Sequence, residues 1–372
     1  MVAAPVRALL VALGTATLGS ACSSDAVQPR PASISDAAVE DVAVIRDAGS
    51  MHDGASRADA SSSCGATCRG SCLDGRCLVT LAIAPSPGNL VVRGADVFFT
   101  SCSTGRGEIA RASLDPASPF ELASGRQCPS GLAVNGERLY IGDPRGFVEV
   151  DGSGAELAAL SLDVDAADAA PSLLVRGTDP IVGVAADGVD VYFTTTTSLM
   201  WVAAGGGSPR ALVSGLGSAS VPLLDRANVY VGDASSGALL RVARNSGVQS
   251  TLATGLPAIQ ALALGATDVL VGGAYLVRTV ALDGGAIGVV ATAAGAELQS
   301  VATDDVNAYF TSYGVVWKAP LPGGGEPIAL ASNQSDAVAI AVDDASVYWV
   351  NAASDGETPG ACCGKILKLT PK

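Results

Sequence analysis

The feature that most constrains this chain is a repeat of roughly forty residues, each copy built around a short strand whose central residue is aromatic in six copies and Leu in one. The copies read DVFFT at Asp96–Thr100, RLYIG at Arg138–Gly142, DVYFT at Asp190–Thr194 and NVYVG at Asn228–Gly232. They continue with DVLVG at Asp268–Gly272, NAYFT at Asn307–Thr311 and SVYWV at Ser346–Val350. Their third residues are Phe98, Tyr140, Tyr192, Tyr230, Leu270, Tyr309 and Tyr348, at intervals of 42, 52, 38, 40, 39 and 39 residues. A period near forty made of strands predicts an all-β fold, a seven-bladed β-propeller.

Each repeat divides into four strands. A small strand rich in Ala, Gly and Val precedes the anchor: Leu132–Val134, Val182–Ala185, Leu262–Leu264 and Val338–Val342. Small residues suit the innermost strand, where the sheets crowd at the axis. A third strand follows at Ile109–Ala112, Phe147–Val150, Met200–Ala203, Leu239–Ala243, Leu276–Val280, Val315–Ala319 and Ile366–Leu369. Glycine-rich turns such as Gly205–Gly207 lead into a fourth strand with a Leu-Ala or Leu-Val core at Leu122, Leu212, Leu252 and Leu330, each 18 residues before the next anchor, as is Leu174. The last repeat ends after its third strand. Val79–Ala82 has the outer-strand pattern, so an N-terminal strand is expected to complete the last blade and close the ring. The 52-residue interval adds a segment at about Leu160–Ala170, whose Asp163, Asp165 and Asp168 lack the Gly and distal Glu of a calcium loop and read as a solvated surface loop.

Residues 1–21 carry one positive charge, Arg7, then an apolar run too short to span a bilayer, the pattern of an export signal. Leu18–Cys22 (LGSAC) resembles the bacterial lipobox, with Leu one place further from the Cys than is usual. The resemblance implies lipidation at Cys22 and a cell-envelope location, with the outer membrane favoured because Ser23 follows the Cys. Ordinary cleavage would give a secreted protein. Residues 22–63 lack periodicity and read as a disordered tether; the chain's single histidine, His52, falls there. Residues 64–77 form a small cysteine module, and residues 78–372 the propeller.

Of nine cysteines, Cys22 is assigned to the lipid. Cys64, Cys68, Cys72 and Cys77 lack the paired spacing of common zinc modules, and disulfides are expected in an exported chain. Cys102, Cys128, Cys362 and Cys363 are expected on one face. They pair either as 102–128 with a vicinal 362–363, or crosswise so that the closure seam is stapled. The crosswise pairing is preferred because it strengthens the seam.

The net charge is −14, which argues against nucleic acid as a partner. With no histidine in the folded part, Ser-His-Asp and Cys-His arrangements are excluded, as are HExxH zinc sites. The loops joining second to third strands, and fourth to next first, share one face of a propeller. Their carboxylates are Asp143, Asp179, Asp233, Glu297, Asp336, Asp355 and Glu357, candidates for a binding face.

Val347–Val350 and its variants at Tyr192–Thr194 and Tyr309–Thr311 resemble the YWTD repeat of receptor propellers. They depart from it in blade number and in lacking the motif's Asp. The Gly-rich turns and Leu-Ala outer strands resemble propeller lipoproteins abundant in myxobacteria. More distantly, the chain is similar to NHL-type and streptogramin-lyase propellers, but the histidine used by that lyase family has no counterpart in the folded part. The expected function is a monomeric, surface-anchored binding or scaffolding module for a protein, peptide or glycan, with no cofactor and with membrane contact through the lipid alone. The alternative is an extracytoplasmic lyase or hydrolase that uses carboxylates or a divalent metal.

Overall fold

The computed structural model describes residue 64 and residues 68–103, 106–113, 120–126, 128–144, 154–162, 171–293, 297–312, 314–353 and 363–372. Cys22, His52, the Asp163–Asp168 run, Asp355, Glu357 and Cys362 lie outside them. The described strands form seven antiparallel sheets. Two strands, β1 (Ser71–Leu73) and β2 (Arg76–Pro85), come first. Blade 1 follows as β3 (Pro87–Arg93), β4 (Asp96–Ser103), β5 (Arg106–Ser113) and β6 (Phe120–Arg126). Blade 2 is β7 (Gly131–Asn135), β8 (Arg138–Asp143), β9 (Ala155–Ser161) and β10 (Ser172–Thr178). Blade 3 is β11 (Ile181–Ala186), β12 (Asp190–Thr195), β13 (Ser198–Ala203) and β14 (Arg210–Ser214). Blade 4 is β15 (Leu223–Leu224), β16 (Asn228–Asp233), β17 (Ala238–Ala243) and β18 (Gln249–Ala253). Blade 5 is β19 (Ala261–Leu264), β20 (Asp268–Gly273), β21 (Leu276–Ala281) and β22 (Ile287–Thr292). Blade 6 is β23 (Leu298–Thr303), β24 (Asn307–Ser312), β25 (Val315–Pro320) and β26 (Ile328–Ala331).

Blade 7 contains β27 (Ala337–Val342), β28 (Val347–Asn351) and β29 (Cys363–Thr370), and β2 supplies its fourth strand. Val79 pairs with Lys368, Thr80 with Leu367 and Ala82 with Ile366, so the two ends of the repeat region meet in one sheet as expected. Pairing β1 with β2 adds a short fifth strand and covers the outer edge.

The packing repeats with the sequence. Each anchor side chain turns toward the following blade: Phe98 packs with Leu139 and Ile141, Tyr140 with Val191 and Phe193, Tyr230 with Val269 and Val271. In blade 7, Tyr348 serves the seam to blade 1, while Trp349, fully buried, faces blade 6. Both are packing residues rather than a ligand cage. The inner strands are small because the blades touch there. A Cβ on Gly131 would lie 2.8 Å from Val184 Cγ2, and one on Gly183 would lie 2.8 Å from Val221 Cα.

The outer strands share a device. Their pairing with the third strand skips one apolar residue in each blade: Leu81, Leu122, Leu174, Leu212, Leu252, Val290 and Leu330. The conspicuous Leu of the Leu-Ala pattern is thus the extra residue of a β-bulge, which bends and twists the rim strand.

Two expectations are corrected. The third strand of blade 2 is β9, not Phe147–Val150, which lies outside the described residues; β9 also takes in Leu160 and Ser161, the start of the supposed surface loop. The crosswise disulfides do not form. Cys102 is bonded to Cys128, because the two loops that carry them belong to the same blade's loop-face end and their Cα atoms are 4.9 Å apart. Cys363 is itself disulfide-bonded, but to neither Cys102 nor Cys128. At the N-terminal side Cys64 joins Cys72 and Cys68 joins Cys77, which fastens two cysteines upstream of β1 to β1 and to the start of β2.

Candidate functional site

The loops joining second to third strands lie on the same face as those leading into each inner strand. Backbone bonds join them directly: Cys102 N–H to Ser86, Ala234 N–H to Ser218, Leu298 N–H to Ala274 and Ala352 N–H to Asp336. This is the loop face. The first-to-second and third-to-fourth turns form the opposite, turn face.

On the loop face the candidate carboxylates separate into two groups. Asp143, at the end of β8, is fully buried and points toward blade 1, where it lies 3.8 Å from the equally buried Arg126. Glu156, its neighbour across the ladder, is also fully buried and meets Arg176 at 3.0 Å. Burial pushes the Arg126 guanidinium below its ordinary value, while the Asp143 and Glu156 charges hold it up. Arg126, Asp143 and Glu156 thus lie together inside the seam between blades 1 and 2, close to the Cys102–Cys128 bridge, with the exposed Arg176 at its edge. Removing one member would strand a buried charge, so this group holds blades together. Asp233 stands at the same strand position in blade 4. Its Oδ1 accepts the N–H groups of Gly217, Ser218 and Ser235, and its Oδ2 accepts the Ser236 hydroxyl at 2.6 Å. Burial raises its pKa, but these donors outweigh that and keep it below the usual range. It is a loop cap.

Asp179, Glu297 and Asp336 are exposed at the entries to β11, β23 and β27. The last two are on adjacent blades and Asp179 is across the ring. Among the described residues no three His, Cys, Asp or Glu side chains gather as a metal site. Apart from Glu297, the exposed loop face of blades 4–6 presents uncharged groups: Val221, Gln260 and Gln299 at the inner strands, with Tyr275, 49% exposed, on the β20–β21 turn. Sequence reasoning passed over these residues because it sought carboxylates.

The turn face holds a unit that the sequence carries in plain view. An Asp stands five residues before the anchor tyrosine in four repeats: Asp187, Asp225, Asp304 and Asp343. One carboxylate oxygen caps the turn, as Asp304 does for the N–H groups of Val306 and Asn307. The other accepts the tyrosine hydroxyl: Tyr230 to Asp225 at 2.7 Å, Tyr309 to Asp304 at 2.9 Å and Tyr348 to Asp343 at 2.7 Å. In blade 3 the Arg244 guanidinium sits between the partners, bonded to Asp187 and 3.0 Å from the Tyr192 hydroxyl. Cations cover the rings, with Lys318 and Lys372 over Tyr309, Lys368 over Tyr348 and Arg244 over Tyr192. Burial and the facing carboxylate push the Tyr230 hydroxyl up to about 12. For Asp304, burial raises the carboxyl, but Lys372, two N–H groups and Tyr309 outweigh it and hold it at about 2.

Solved structures of similar fold include the catalytically inactive virginiamycin B lyase from Staphylococcus aureus with quinupristin (TM-score 0.60, 14% identity, 79% of this chain and 99% of that one). Another is U3-55K (TM-score 0.59, 13% identity, 79% of this chain and 98% of that one). A third is the WD40 repeats of RRP9 (TM-score 0.58, 13% identity, 79% of this chain and 100% of that one). No family model matches the sequence, and no curated protein does. At these identities the likeness shows the fold alone. With seven blades closed by an N-terminal strand, the chain has the fold of a seven-bladed β-propeller.

Proposed function

We propose that this protein is an exported, lipid-anchored envelope protein whose propeller binds a protein, peptide or glycan on the loop face without transforming it. One observation carries the non-enzymatic reading. The enclosed carboxylates of that face, Asp143, Glu156 and Asp233, are committed to an ion cluster and a loop cap, while the accessible mouth of blades 4–6 offers amide, aliphatic and phenol groups beside the single carboxylate of Glu297. Amides and aromatic faces suit neutral ligands such as sugars and peptide backbones. Anchoring rests on the Leu18–Cys22 pattern, with residues 23–63 as the spacer that presents the ring.

The full-length protein should bind a subset of a glycan and peptide array. Replacing Tyr275 and Gln299 by Ala together should abolish that binding while leaving the melting temperature unchanged. Turnover of a bound ligand, or binding indifferent to both substitutions, would count against this reading. For the anchor, Cys22→Ser should move the protein from membrane to soluble fractions and remove acyl mass from its N-terminus.

A further inference from the structure

Six of the seven seams receive an aromatic ring from the anchor position, and the seam between blades 5 and 6 does not. There Leu270 stands in the ring's place and Gly265 in the place of the clamping Asp. Thr279, the cross-strand partner of Leu270, stands where Arg241, Lys318 and Lys368 face the tyrosines of blades 4, 6 and 7. Ring, carboxylate and cation are thus all replaced at one seam. They leave a cavity of about 310 Å³, which opens on the turn face and lies within the size range of small-molecule sites. Its walls are Leu270 and Thr279 from blade 5 and Leu321 from blade 6, and its lining includes Asp268 and Asp305. Asp268 accepts the Thr267 hydroxyl and Asp305 accepts the Ala266 N–H, both at 2.8 Å. Neither carboxylate has a cationic partner among the described residues.

We propose that this cavity is a binding site for a small aromatic amine, a ring of phenol or indole size bearing an ammonium group. The apolar walls take the ring that the other seams supply from the chain itself. The two carboxylates take the positive charge that Lys or Arg supplies elsewhere. A ring seated against Leu270 and Leu321 would remove their apolar surface from water, which gives an occupant of this shape a driving force to enter. The site is on the face opposite the proposed loop-face ligand and does not depend on it.

The test is calorimetric and NMR titration of the full-length protein with tyramine, using p-cresol as the neutral comparison. Saturable tyramine binding, at least about tenfold tighter than p-cresol, is expected from the two unpaired carboxylates. Leu270→Tyr with Thr279→Lys rebuilds the unit found in blade 6 and should abolish binding while keeping or raising the melting temperature. Should that variant fail to fold, Asp268→Asn with Asp305→Asn serves instead and should bring tyramine down to the p-cresol affinity. Tyr275→Ala on the loop face should leave tyramine binding unchanged. The proposal is overturned by absence of saturable binding at millimolar tyramine, by equal affinity for the two probes, or by binding that survives the rebuilt seam.

Discussion

The tyrosines of this ring are not equivalent, and the difference lies in the residue five places earlier. Tyr230, Tyr309 and Tyr348 have an Asp there and donate to it; Tyr140 has Asn135, and its buried hydroxyl finds no partner among the described residues. An unsatisfied buried hydroxyl costs free energy, whereas one bonded to a carboxylate contributes it. Tyr230→Phe should therefore lose about 1–2 kcal/mol in chemical denaturation, and Tyr140→Phe should be neutral or stabilising. Equal effects at the two positions would refute the pairing. The carboxylates also set an acid limit. Asp304 has a folded pKa of about 2, below its unfolded value of roughly 3.9. Its contribution is thus complete above the unfolded value and is lost as pH falls toward 2. Melting temperatures taken from pH 5 to pH 2 should fall steeply, and Asp304→Asn should start lower but fall less over that window. Parallel curves for the two proteins would assign the acid limit to other groups.

At the scale of the element, the rim strands explain a pattern that the sequence shows but does not interpret. The recurring Leu-Ala pair reads as strand core. The ladder reveals that the Leu, replaced by Val290 in blade 5, is skipped in the pairing and bulges the strand at the same place in every blade. Leu330 is almost fully buried at its bulge, so Leu330→Ala should cost about 2–5 kcal/mol, measured by urea unfolding. The blade 1 bridge acts across elements too. Cys102 and Cys128 are 26 residues apart and tie the β4–β5 turn to the linker into β7. Replacing both by Ala should cost about 3 kcal/mol by the chain-entropy account, and the loss should vanish when wild type and variant are compared in reductant.

For the whole molecule the decisive contact is between its two ends. β2 fills the rim position of blade 7 and leaves β29 paired on both sides. Deleting residues 64–85 should expose the β29 edge, lower the melting temperature and drive association that rises with concentration. A monomer of unchanged stability would show that closure contributes nothing. The repeat period, the seven anchors and the incomplete last repeat were enough to read this architecture from the sequence, because strand periodicity and a permuted boundary are local facts. The same holds for the Asp–Tyr spacing, which is visible in the letters although its meaning is not. The rest required three dimensions. Which cysteines pair depends on which loops meet. The fate of Asp143 depends on Arg126, which reaches it from another blade. The cavity beside Leu270 is lined by residues of two sheets, which only the packing of blade 5 on blade 6 brings together. Sequence alone determined how many blades there are and how the ring shuts, since those follow from hydrophobic period along the chain. Tertiary structure decided which polar groups are already committed and which surfaces stay open, since both are set by neighbours distant in sequence.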